Sequence, residues 1–146
     1  MNASWELRGS AIQNQRSSLH IGTAGGSPGK GSFGSNPQWT FAVGNDTVVQ
    51  LKCMAKKTLA VNVILVQTGS GMPSSNQKPN SKRIHHLYER PIIDSGDYRY
   101  GFVVTKRTLL RAGLYTLVAS TFEVGQEGKF ILHVLSDRVV DIHAIK

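Results

Sequence analysis

The sequence predicts an all-β fold, an antiparallel β-sandwich of about eight strands. Three observations carry this. Apolar residues alternate with a period of two in many short runs, turn-forming clusters separate those runs, and no stretch sustains an apolar spacing of 3.6. The chain has 146 residues and no internal repeat, which suits one domain over 1–146 with a single core.

The runs follow one another along the chain. "SWELRGS" and "SLHIG" are read as opening strands. "VVQLKCMA" (48–55) sets Val49, Leu51 and Cys53 on one face and Gln50 and Lys52 on the other. "LAVNVILVQT" (59–68) is apolar on both faces, as a central strand is. "RIHHLYER" (83–90) and "YRYGFVVTK" (98–106) are predicted as two further strands. "GLYTLVASTF" (113–122) aligns Tyr115, Leu117 and Ala119, and "GKFILHVLS" (128–136) aligns Phe130, Leu132 and Val134. "RVVDIHAIK" (138–146) is the last strand, and "KRTLLRA" (106–112) offers at most a short helical turn. Between them lie "GND", "KKT", "DSGD", "RAG", "EVGQEG" and "SD", all turn chemistry. "TGSGMPSSNQKPNSK" (68–82) is polar, holds two prolines and has no period, so a long mobile surface loop is expected there.

Charge and motifs narrow the function. The net charge is +8, which permits contact with phosphates of lipid or nucleic acid without requiring either. The densest basic stretch holds Lys78, Lys82, Arg83 and Arg90, with His85 and His86 between. These four cations are the expected anion- or lipid-facing patch. Tyr88, Tyr98 and Tyr100 fit cross-strand positions better than a stacking platform, so no nucleic-acid partner is expected. The only cysteine, Cys53, lies on an apolar strand face and reads as a core residue in a reducing compartment. No apolar run is long enough to span a bilayer, and the first residues lack a signal-peptide pattern, so a soluble intracellular chain is expected.

"GTAGGSPGKGSFGSNPQW" (22–39) imitates a phosphate-binding loop through Ala24, Gly29 and Lys30. Gly31 stands where that loop needs a Ser or Thr to reach Mg²⁺, and no helix pattern follows. No catalytic set, zinc site or cofactor can be assembled. His85 and His86 would point to opposite faces of a strand, and His133 and His143 read as solvent-facing. Of the carboxylates, Asp94 and Asp97 are neighbours in an ordinary turn, with Asp137 the one further candidate to join them.

Two ordered motifs resemble a known family. Leu110, Gly113, Tyr115, Ser120, Thr121, Phe122, Glu123, Gly125, Glu127, Gly128, Phe130, Leu132 and Val134 follow the pattern L-x-P-G-x-Y, S-T-F-E, G-x-E-G-x-F-x-L-x-V. That pattern closes calpain domain III, the C2-like β-sandwich of calpain proteases. Ala112 and Ala119 stand where prolines are common. Upstream, Thr23, Ala24, Gly25 and Gly26, then Phe33, Asn36, Pro37, Gln38 and Trp39, resemble the same module's T-A-G-G and F-x-x-N-P-Q-aromatic pattern. The resemblance turns the glycine loop into a strand connection. A basic loop in place of an acidic one, and the short tail after the motif, look like the PalB-like branch, whose C2-like modules close the chain.

The resemblance implies a non-catalytic C-terminal module of an intracellular cysteine protease, supporting its activity, domain packing and ESCRT-associated partner recruitment, with the catalytic residues outside it. Its partners would be the other domains of the parent and, through the parent, ESCRT-III-related proteins. Its place would be the cytoplasm, endosomal surfaces or the nucleus. The alternative is calcium-independent binding to an anionic membrane through the basic patch. A ligand that binds only the folded state raises its melting temperature. Submillimolar Ca²⁺ is therefore expected to leave the melting temperature unchanged in differential scanning fluorimetry, and a rise reversed by chelator would contradict the carboxylate argument.

Overall fold

A computed structural model describes residues 3–11, 26–29, 33–70, 83–87, 90–123 and 128–145, with the backbone alone for 3–11 and 70. The strands are β1 (Ala3–Ala11), β2 (Gln38–Val43), β3 (Thr47–Ala55), β4 (Ala60–Ser70), β5 (Ile93–Asp94) and β6 (Arg99–Tyr100). They continue with β7 (Phe102–Val104), β8 (Thr108–Leu110), β9 (Gly113–Thr121), β10 (Gly128–Ser136) and β11 (Asp141–Ala144). One short 3₁₀ turn covers Phe33–Ser35. All pairings are antiparallel, in two sheets. The first runs β1-β10-β3-β7, with β8 also on β3; the second runs β11-β2-β9-β4-β5, with β6 also on β4.

The core lies between the sheets, where the alternating residues meet. Val49, Leu51 and Cys53 of β3 and Leu132 and Val134 of β10 face Val63 and Leu65 of β4 and Tyr115 and Leu117 of β9. All are at most 2% exposed. Each such aliphatic side chain stabilises the fold by about 1.5–3 kcal/mol relative to exposure. Trp39 and Phe130 close one part of this core edge to face, with ring centroids 6.2 Å apart.

The second sheet is also buried on its outer side. Ile64 and Val66 of β4 and Val118 of β9 point away from the main core and pack under Phe33, Ile84 and Leu87. Residues 33–37 and 83–87 thus form a partial third layer. This is why β4 and β9 read as apolar on both faces.

Four expectations require correction. The segment 83–87 is not a strand, because its backbone bonds to a side chain, Ile84 N–H donating to Gln38 Oε1 at 2.7 Å. The run 98–106 is not one strand. Gly101, at φ +78°, passes the chain from β6 in the second sheet to β7 in the first. Thr108–Leu110 is strand β8, paired with Thr47–Val49, rather than a helical turn. Residues 68–70 are not part of a loop, since β4 runs to Ser70 across an irregularity between Gln67 and Gly69. The rest of that loop, 71–82, and the run "SLHIG" lie outside the described residues. With short edge segments counted separately, the described strands number eleven.

Gly34 tests the third layer. A Cβ there would meet His85 Nδ1 at 2.5 Å and His85 Cα at 2.9 Å, so backbone as well as side chain would have to move. Gly34→Ala is expected to destabilise the fold by about 1–3 kcal/mol through overpacking. Gly29→Ala, with open space around it, should shift urea midpoints far less.

Candidate functional site: a clasp of motif residues

The "NPQ" stretch leads into β2, and its two side-chain amides bond to backbone groups of other segments. Asn36 Nδ2 donates to the carbonyls of Gly26, at 2.8 Å, and Phe33, at 2.9 Å. Gln38 Nε2 donates to Gly34 O at 3.2 Å and Ile84 O at 2.9 Å, while its Oε1 accepts from Ile84 N–H. Both side chains are buried, so each unmade bond would carry a desolvation cost of about 1–3 kcal/mol. Gln38 therefore pairs with the Ile84 backbone as a neighbouring strand would.

Arg83 completes the arrangement. Its Nη1 donates to Gly34 O at 2.8 Å and Asn36 O at 3.0 Å, and its Nη2 to Ile145 O at 2.9 Å. Burial lowers its pKa from the ordinary guanidinium value. Three segments distant in sequence are thereby tied to one planar fork.

The second motif meets the first. Ala119 N–H donates to Pro37 O at 3.2 Å, and Ser27 N–H to Phe122 O at 3.2 Å. Gly26 adopts φ +81°, which glycine alone holds without strain. Tyr115 is buried and donates its hydroxyl to Arg111 O at 2.6 Å, which fastens the entrance of β9 at Gly113. Burial pushes the phenol pKa up and keeps that donor protonated. The hydroxyls of Ser120 and Tyr98 are hydrogen-bonded, and Tyr98 meets Phe122 edge to face at 5.5 Å. Thr121 Oγ1 donates to Glu123 O at 3.2 Å. Gly128 leaves room for the tip of Leu59, whose Cδ1 would lie 2.3 Å from a Cβ there. Thr23 and Gly25 lie outside the described residues.

A family match follows these motifs. The family described as calpain large subunit, domain III, matches residues 7–135. The chain belongs to the calpain domain III family. A calpain-like protease palB/RIM13 of Aspergillus oryzae is 37% identical over 116 residues, covering 78% of this chain and 12% of that protein. A calpain-like protease palB of Emericella nidulans is 31% identical over 122 residues, covering 82% of this chain and 13% of that protein. The chain thus spans about an eighth of the length of these curated relatives. It is a domain III-type module, a kind of domain that is non-catalytic in calpain-like proteases.

The side chains singled out for chemistry are distributed accordingly. Cys53 is 1% exposed, and burial pushes its thiol up to about 12, so it is no thiolate nucleophile. Asp94 Oδ1 accepts from Asn62 Nδ2 at 3.1 Å and Gly96 N–H at 2.8 Å, and Asp137 Oδ1 accepts from Val48 N–H at 2.9 Å. Among the described residues no three of His, Cys, Asp and Glu gather to hold a metal ion. His85, His86 and His143 are exposed, and His143 Nε2 lies 2.8 Å from Asp141 Oδ1. Of the expected basic patch, Lys78 and Lys82 lie outside the described residues, Arg90 is exposed, and Arg83 is committed to the clasp of domain III. Sequence proximity grouped Arg83 with cations expected to face a ligand; no local signal marks a guanidinium that bonds across the fold.

Removing the fork while keeping the charge separates these roles. Arg83→Lys supplies a point charge without the planar geometry, and Arg83→Ala supplies neither. Both are expected to lower the urea midpoint, Arg83→Ala by about 1–3 kcal/mol equivalent, the range for a charged hydrogen-bonding group. Arg90→Ala should stay within about 0.5 kcal/mol, as exposed substitutions do.

Proposed function

We propose that this chain is a C2-like structural and regulatory module of a PalB-type calpain protease, sustaining that protease's activity by bearing against its other domains. The observation that supports this is the destination of the polar atoms of three motif residues and of Arg83. Asn36, Gln38, Arg83 and Tyr115 turn them onto the chain's own backbone, leaving a rigid body rather than a reacting site. Rigid docking modules need such internal bracing. The parent would act in the cytoplasm and at endosomal or nuclear locations, and recruitment of ESCRT-III-related proteins would fall to its other regions.

A second reading gives the module an anionic membrane as partner. Exposed Arg90 supports it, together with the positions of Lys78 and Lys82 in sequence. Three such cations would supply roughly 1 kcal/mol each near an anionic surface, falling off within a Debye length. Arg83, held by three carbonyls, adds little.

The parent protease with and without residues 3–145 distinguishes these readings. Deletion is expected to cut peptide hydrolysis severalfold at unchanged vesicle binding. Unchanged hydrolysis would overturn the structural reading. Sedimentation with phosphatidylserine vesicles that is lost on Lys78→Glu, Lys82→Glu and Arg90→Glu would establish the membrane reading in its place.

A further inference from the structure

The sandwich treats its two outer faces differently. Outside the second sheet, residues 33–37 and 83–87 cover Ile64, Val66 and Val118. Outside the first sheet, no described segment forms such a layer. Register sets Met54 between Phe102 and Ile131, and Lys52 between Val104 and His133. Leu109 stands opposite Val48 on the neighbouring pair. Met54 is 40% exposed, Val104 43%, Phe102 45% and Leu109 53%.

On β3, β7, β8 and β10 the charge of this face has one sign. Lys52 lies at its centre, while exposed Lys56, Lys106 and Lys129 continue β3, continue β7 and begin β10. β3, β7, β8 and β10 contain no Asp or Glu. In register, β1 adds Glu6 beside His133 and Arg8 beside Ile131.

We infer, resting on the structural reading above, that this face seats on another folded domain of the parent protease, against an apolar surface with a carboxylate opposite Lys52. Charge complementarity selects that occupant. Covering the apolar row removes water from Lys52, and a desolvated ammonium needs an anionic partner. Apolar centre and cationic rim is also the anatomy of a protein interface. A second copy would bring lysines against lysines, which a two-fold contact of this face cannot relieve. A bilayer needs apolar side chains that stand proud of the surface. Met54, Phe102 and Val104 instead lie along sheet strands and are less than half exposed.

Zero-length carbodiimide cross-linking of the full-length parent, read by mass spectrometry, tests this. An amide between Lys52 Nζ and a carboxylate outside this module is expected, and Lys52→Arg, which keeps the charge but offers no amine to couple, should remove it. Phe102→Asp, an exposed position, should speed protease-nicked release of the module about tenfold. The inference is overturned if Lys52 forms no such link, if it links to a second copy, or if phosphatidylserine vesicles alone shield it from acetylation. Should the module's deletion still lower hydrolysis in that case, the structural reading survives and only the choice of face is wrong. Should deletion change nothing, the structural reading has failed.

Discussion

Burying a sheet on both sides is the constraint on which the rest of this module depends. β4 and β9 carry apolar side chains toward the main core and away from it, so the middle of the second sheet needs cover on both faces. The chain covers it with two irregular segments, whose backbone groups then need partners of their own. The Gln38 amide supplies them by pairing with Ile84 as a strand would, and Arg83 gathers the carbonyls that remain. Remove that polar bracing and the apolar cover has no reason to stay in place. Gly34 shows how closely the two covering segments approach each other.

The first sheet solves the opposite problem. Its inner side is an ordinary aliphatic surface, and its outer side keeps lysines among apolar residues. A free sheet with that pattern stays soluble through its cations and still offers area to a partner. The braced face and the open face therefore suit one another, because a surface docks reproducibly only when the body behind it does not yield.

Much of this was legible in the residues, for a physical reason. Val49, Leu51 and Cys53, then Tyr115, Leu117 and Ala119, then Phe130, Leu132 and Val134, all face the core because the side chains of a strand alternate. The double-sided apolar run of β4 announced a central strand in the same way. What escaped was set by contacts between distant segments. Residues 83–87 alternate like a strand, yet Gln38 side-chain atoms take the place of a neighbouring backbone. Gly101 looks like a weak point within one strand and is a crossing between sheets. The lysines of the open face come from three separate elements, so no window of the sequence gathers them. The motif residues were identified as a set, but only their geometry shows that they brace the fold.

The pairing of β1 with β10 also constrains how the chain comes to be folded. Ala3 lies opposite Ser136, and β10 stands between β1 and β3. Until β10 has left the ribosome, the first sheet lacks its middle strand and β1 has no hydrogen-bonding neighbour. Contacts of such sequence separation form late, because closing a long loop costs entropy before any pairing offsets it. During synthesis, the inner face of β3 must therefore wait beside an incomplete second sheet, with its apolar residues exposed. Apolar surface left exposed in this way makes the nascent module prone to aggregate until β10 pairs.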